Sequence, residues 1–282
     1  LIICSVLLLA ACNSDDDPAP VVAAPPAPAT LKVQVLHASP DAPAVNVLVD
    51  GGEVLSDVDY KQGSGQLILD EGTYSVQVDG ILPAGPATVI GPVDLTFLGD
   101  TVYTIAAVNS VAAIEPVVIS QPDVAVDAGA ARLFVLHGAA AAPQVDVYVT
   151  TPGADLAASA PVGTFSFKET IGPAEVAAGD YRIRVTVAGD ATAVVYDSGT
   201  FTLNAGDDLT VAAVPNTTGG TAAISLVALT GTGSLEILDA TTPTSLQLVH
   251  ASPDAPAVDV VVDGGVLVPG LEFPDATDFL EV

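Results

Sequence analysis

One phrase occurs three times in this chain, and the repetition constrains the fold more than any other feature. It reads Val35-Leu36-His37-Ala38-Ser39-Pro40-Asp41-Ala42-Pro43-Ala44-Val45-Asn46-Val47. It returns almost letter for letter as Leu248-Val249-His250-Ala251-Ser252-Pro253-Asp254-Ala255-Pro256-Ala257-Val258-Asp259-Val260. A worn copy lies between them: Val135-Leu136-His137-Gly138, then Ala142-Pro143-Gln144-Val145-Asp146-Val147. His37, His137 and His250 therefore mark three copies of one unit, about a hundred residues apart. That is long enough for a unit to bury its own core, unlike the short repeats of a solenoid.

Around each phrase the apolar residues alternate. Leu31, Val33, Val35 and His37 share one face, opposite Lys32, Gln34 and Leu36, and a period of two is the signature of a strand. Pro40 and Pro43 end that strand, because proline cannot donate to a ladder. Val45, Val47 and Val49 begin the next one, and Asp50-Gly51-Gly52 predicts a tight hairpin that needs positive φ. Gly72 to Val78, Leu95 to Phe97 and Val102 to Val108 supply further strands. The second unit follows the same plan with Val145, Val147 and Val149, then Gly179 to Val185, then Leu209 to Val214. No window keeps a helical period. The fold class is thus all-β, with tandem antiparallel β-sandwich domains at 31–120 and 131–230 and an incomplete third at 245–282. The third stretch holds only the opening strands of a unit, so it is expected to expose an apolar face.

Acidic residues number 34 and basic ones 6, a net charge of −28. Such a surface repels a phosphate backbone and excludes a nucleic-acid partner, while favouring solubility and tolerance of salt. Leu1 to Ala11 is uncharged and apolar, with the length of a signal-peptide core, too short to span a bilayer as a helix. It ends in Leu9-Ala10-Ala11-Cys12, which resembles the lipobox of bacterial lipoproteins. The resemblance implies cleavage before Cys12, lipidation of Cys12 and membrane attachment through the lipid; Asn13 after it favours the outer membrane. Residues 1–11 then read as a lipoprotein signal peptide lacking its start. Residues 12–30, with five prolines from Pro18 to Pro28, read as an extended Pro/Ala-rich linker. Cys4 falls in the leader, so the mature chain keeps one cysteine and no internal disulfide.

The phrase His-Ala-Ser-Pro-Asp-Ala-Pro-x-Val-Asp-Val resembles that of the domain of unknown function 4397 family, found in tandem in bacterial envelope and secreted proteins. The resemblance spans residues 31–118 and 131–230, and begins again at 245. It implies an immunoglobulin-like β-sandwich and brings no established activity with it. The second copy departs from the pattern, with Gly138-Ala139-Ala140-Ala141-Ala142 in place of the central residues.

Serine, histidine and aspartate together suggest a hydrolytic triad, so His37, Ser39 and Asp41, and likewise His250, Ser252 and Asp254, form the candidate loop site. Spacing opposes the triad: the three members fall within five residues and Pro40 interrupts them. His137 also persists where Ala139 and Ala141 replace its supposed partners. These residues therefore read as structural, with each histidine at the inner edge of its sandwich and Asp41 and Asp254 bonding amides of their own turn. Zinc needs more histidine or cysteine than one histidine per unit supplies. Calcium has oxygen ligands in Asp57, Asp59, Asp100, Asp207 and Asp208, but no loop of EF-hand pattern. The absence of tryptophan disfavours a sugar-stacking platform. No catalytic residue, metal ligand or cofactor is assigned. The expected protein is a non-enzymatic, lipid-anchored envelope protein of the outer membrane. Its tandem sandwiches would make structural or adhesive contact with an envelope or extracellular protein or polysaccharide. The alternative is a hydrolase or a ligand- or calcium-binding lipoprotein that uses the His-Ala-Ser-Pro-Asp loop.

Overall fold

A computed structural model describes residues 27–282; the leader, Cys12 and most of the linker lie outside the described residues. Unit 1 contains β1 (Thr30–His37), β2 (Val45–Val49), β3 (Gly52–Val58), β4 (Leu67–Asp70), β5 (Gly72–Gly80), β6 (Ala87–Phe97), β7 (Thr101–Val108) and β8 (Glu115–Pro122). One sheet runs β4-β1-β7-β8 and the other β3-β2-β5-β6. All pairs are antiparallel except β1 with β7. The alternation of the sequence places Val45, Val47, Val76 and Val78 inward from one sheet, where they meet Val35 and Ala107 of the other. Asp50 and Gly51 turn β2 into β3 with φ of 51° and 79°, the left-handed pair that a two-residue hairpin demands.

Unit 2 contains β9 (Ala130–His137), β10 (Val145–Thr150), β11 (Gly163–Phe165), β12 (Thr170–Ala177), β13 (Gly179–Val187), β14 (Val194–Asp197), β15 (Phe201–Leu203), β16 (Asp208–Pro215), β17 (Ile224–Leu229) and β18 (Ser234–Ile237). Its sheets run β12-β9-β16-β17-β18 and β11-β10-β13-β14, with β15 also on β13. The tight hairpin of unit 1 is replaced by a longer loop carrying a short 3-10 turn, Leu156–Ala158. Leu156 is buried there, and Arg184 donates to Thr150 Oγ1 and the Ala154 carbonyl, 2.9 Å each. The loop thus covers an outer sheet face that unit 1 leaves wet.

Unit 3 contains β19 (Ser245–Leu246), β20 (Val258–Val262), β21 (Gly265–Leu271) and β22 (Leu280–Glu281), in two sheets of two strands. Among the described residues it has no counterparts of β5 to β8, and Val249, Val258, Val261, Val266, Phe273 and Phe279 are exposed.

Alternation alone predicts that β1 turns one face to water. Both faces are buried: on the face away from the unit 1 core, Gln34 is 3% exposed and Leu36 1%. The reason is the neighbouring unit. Sheet β4-β1-β7-β8 lies against sheet β12-β9-β16-β17-β18, and equivalent residues contribute from both sides: Leu36 and Leu136, Ala106 and Ala212, Val108 and Val214. Thr104 and its counterpart Thr210 meet at 3.4 Å, and Gln34 Nε2 donates to Thr104 Oγ1 at 2.9 Å. The Gln66 N–H donates to the Gly231 carbonyl at 2.8 Å, and Lys61 pairs with Glu236 at 2.5 Å. Gly63 permits this approach, because a Cβ there would stand 2.0 Å from Leu229 Cδ2. Units 1 and 2 are therefore four stacked sheets, and the middle two share an apolar layer of their own.

Candidate functional site: the histidine loop

His37 is the last residue of β1, on the face toward its own sandwich core, and the two prolines that follow force the chain to turn over it. Its Nδ1 accepts the Ser39 N–H at 3.3 Å. The other nitrogen, Nε2, therefore carries the proton and donates to the Pro43 carbonyl at 3.0 Å. Tyr60 sits edge-on to the ring, centroids 6.1 Å apart. Burial pushes the pKa of His37 below its ordinary 6.5, and the Pro43 carbonyl and the charge of Asp59 recover part of the shift. The ring is a neutral strap between strand and loop.

The Nε2 half of the strap recurs in the other units, where Nδ1 of His137 and of His250 is buried without a partner. His137 Nε2 lies 3.4 Å from the Pro143 carbonyl, and His250 Nε2 lies 3.2 Å from that of Pro256. The turn beneath is also shared: Ala42 donates to the Ser39 carbonyl, Ala142 to that of Ala139, and Ala255 to that of Ser252. The worn sequence of unit 2 keeps the geometry, because the strap needs only the imidazole, a turn and the proline carbonyl.

Ser39 and Asp41 do not assemble a triad with His37. The Ser39 hydroxyl is buried without a partner, and only its amide meets the ring. The Asp41 carboxylate accepts the Val111 N–H at 2.8 Å, from the short 3-10 turn after β7. This corrects the expectation that Asp41 closes its own turn. That turn is already closed by Ala42, and neither neighbouring proline offers an N–H. The carboxylate reaches instead for an amide that the 3-10 turn leaves free. In unit 3 Ser252 and Asp254 are exposed, and no β7 counterpart brings such an amide to them.

Of the acidic residues considered as calcium ligands, Asp59, Asp207 and Asp208 have separate partners. Asp59 Oδ1 accepts the Tyr60 N–H, Asp207 accepts the Asn204 N–H, and Asp208 pairs with Arg132 at 3.2 Å. Among the described residues, no three His, Cys, Asp or Glu side chains converge as ligands for one ion. Every lysine and arginine is likewise engaged. Lys32 pairs with Asp123, Lys61 with Glu236, Arg132 with Glu175 and Asp208, Lys168 with Glu115, and Arg182 with Asp197; Arg184 lies under the long loop. Burial works against the Arg132 charge, but its bonds to Glu175 and Asp208 outweigh that and raise its pKa. Sequence reading missed this consumption of cations, since most partners lie far away along the chain.

Fold and loop together define the class: a tandem β-sandwich protein whose units each tie a buried histidine to a proline carbonyl. Within that class the chain belongs to the family described as Domain of unknown function (DUF4397), whose profile matches residues 31–148, 149–236 and 244–282. The junction of the first two matches falls inside β10, whereas the sheets of unit 1 end at Pro122. No curated protein matches the chain. Among solved structures, a candidate adhesin from Bacteroides ovatus is similar at 13% identity, covering 74% of this chain and 94% of its own, with a TM-score of 0.19. A DUF3823 family protein from Bacteroides ovatus ATCC 8483 is similar at 14% identity, covering 64% and 99%, with a TM-score of 0.16. No helix among the described residues is long and apolar enough to cross a membrane.

Proposed function

We propose that the chain is a lipid-anchored protein of the cell envelope, held at the outer membrane through Cys12, and that its sandwiches make structural or adhesive contacts without catalysis. The observation that carries the non-catalytic part is the histidine strap. All three imidazoles are buried and bonded to a backbone carbonyl six residues on, in unit 2 as in the others, although unit 2 lacks the serine and aspartate. A general base needs a free nitrogen facing substrate, and at His37 both nitrogens serve the loop. The acidic surface suits a saline exterior, and the leader and Cys12 supply the anchor.

Two measurements test this reading. A panel of esterase and phosphatase substrates is run on the wild type and on His37→Ala. The expected result is no turnover in either and a lower melting temperature in the variant; turnover abolished with the fold intact would establish the hydrolase alternative. Labelling with a palmitate analogue is expected in the wild type and absent in Cys12→Ala, and persistence in the variant would reject the anchor.

A further inference from the structure

The two complete sandwiches differ at one end. In unit 1 that end is stoppered by Phe97 and Tyr103, 3% and 7% exposed, with ring centroids 4.7 Å apart. Strand register identifies their counterparts. β1 sets Val33 beside Tyr103 as β9 sets Leu133 beside Leu209, and Gly72 faces Phe97 as Gly179 faces Leu203. Unit 2 thus has leucines where unit 1 has rings, and a groove of about 1190 Å³ lies there, walled also by Gln66, Val102 and the Lys32–Asp123 pair at the edge of unit 1, and large enough for an extended ligand.

Two runs of consecutive residues line this groove, Leu235 to Leu238 and Thr200 to Asn204. Consecutive residues of a strand point to opposite faces, so a surface that meets all of them meets the edge of the strand. The edges are open: β18 pairs only with β17, and β15 only with β13. Between them the accessible floor is apolar, formed by Phe201, Leu209 and Ile237 over the buried Leu133, Ile183, Val211 and Ala228. Such an edge is a template for main-chain pairing with another polypeptide.

Charge narrows the occupant. The net charge is −28, and all six cations are tied up in the ion pairs above or buried under the long loop. At the rim Asp207 bonds only the Asn204 amides, with no cation beside it. The field around the groove repels anions and draws cations in.

We propose that this groove docks an extended cationic polypeptide segment, which adds as a strand to the free edge of β18 and lays its alternate apolar side chains on the floor. This names the contact for the adhesive reading above and rests on it. The probe is a fluorescein-labelled decapeptide of alternating lysine and valine, titrated against the full chain by fluorescence anisotropy. The controls are the glutamate–valine decapeptide and a lysine–valine peptide with a central proline. The lysine–valine peptide binds; the glutamate peptide does not; the proline peptide binds about tenfold more weakly or worse. Raising salt from about 0.05 to 0.5 M weakens binding.

Leu203→Phe with Leu209→Tyr installs the stopper of unit 1 and abolishes binding, with thermal melting confirming the fold. Thr202→Trp, on the exposed wall, does the same without touching the core. No binding by the wild type overturns the proposal. So does equal binding of the proline peptide, or binding that survives both variants, since either outcome means general attraction to a polyanion. Palmitate labelling of Cys12 is scored on the same samples: labelling without peptide binding removes the docking site and leaves the anchor standing, and the reverse removes the anchor alone.

Discussion

His137 and His250 occupy the same turn and reach the same proline carbonyl, yet their neighbours have opposite fates. Leu136 is fully buried, and Val249 at the same position of the repeat is 62% exposed. The phrase therefore specifies a local device, a strand end strapped to a loop, and does not itself specify burial. Burial comes from strands far along the chain, β7 beside β1 and β16 beside β9, and from the sheet of the next unit laid across both. Among the described residues, unit 3 has the strap without counterparts of those strands.

Three effects test that distinction, from the largest down. Leu36→Ala removes a side chain from the layer between units 1 and 2 and should cost about 2–5 kcal/mol, read from urea unfolding. Val249→Ala should stay within about 0.5 kcal/mol. Equal losses would mean that unit 3 is covered as units 1 and 2 are. Next, His37→Ala strands the Ser39 amide and the Pro43 carbonyl away from water and should cost about 1–3 kcal/mol. His250→Ala, in a loop with exposed residues on both sides, should cost less, and a larger loss there would reverse the ranking of the straps.

The third effect is of pH. The folded pKa of His37 is lowered by burial, so the unfolded chain takes up its proton first. Its contribution to stability is complete above about 6.5, declines as pH falls below that value, and levels off once the folded ring also protonates. Thermal melts of the wild type and His37→Gln between pH 5 and 8, ranges set by the histidine titration, should converge toward the acid end. Parallel curves would show that the ring is not held neutral.

Much of the fold was legible from residues alone. The period of two located β1, β2 and β5, and Asp50-Gly51 marked its hairpin because few residue pairs tolerate two left-handed conformations in succession. The contact between units was less visible, although a signal existed. Val102 to Val108 and Ile224 to Leu229 are nearly continuous apolar runs, the pattern of strands covered on both faces, and they form the middle layers here. The partner of Asp41 could not be read, because the amide it bonds lies 70 residues away and only the closed sandwich brings the two together. The groove of unit 2 was illegible for a different reason: its walls come from both units, and a leucine in a strand announces nothing about the aromatic that its sister unit carries.

Domains strung on flexible tethers gain reach with each copy added. Here the second copy lies flat on the first, so it contributes girth instead of length. A pull applied at either end must shear one broad apolar layer before the two halves can part. A second copy laid down in this way thickens the block without lengthening it.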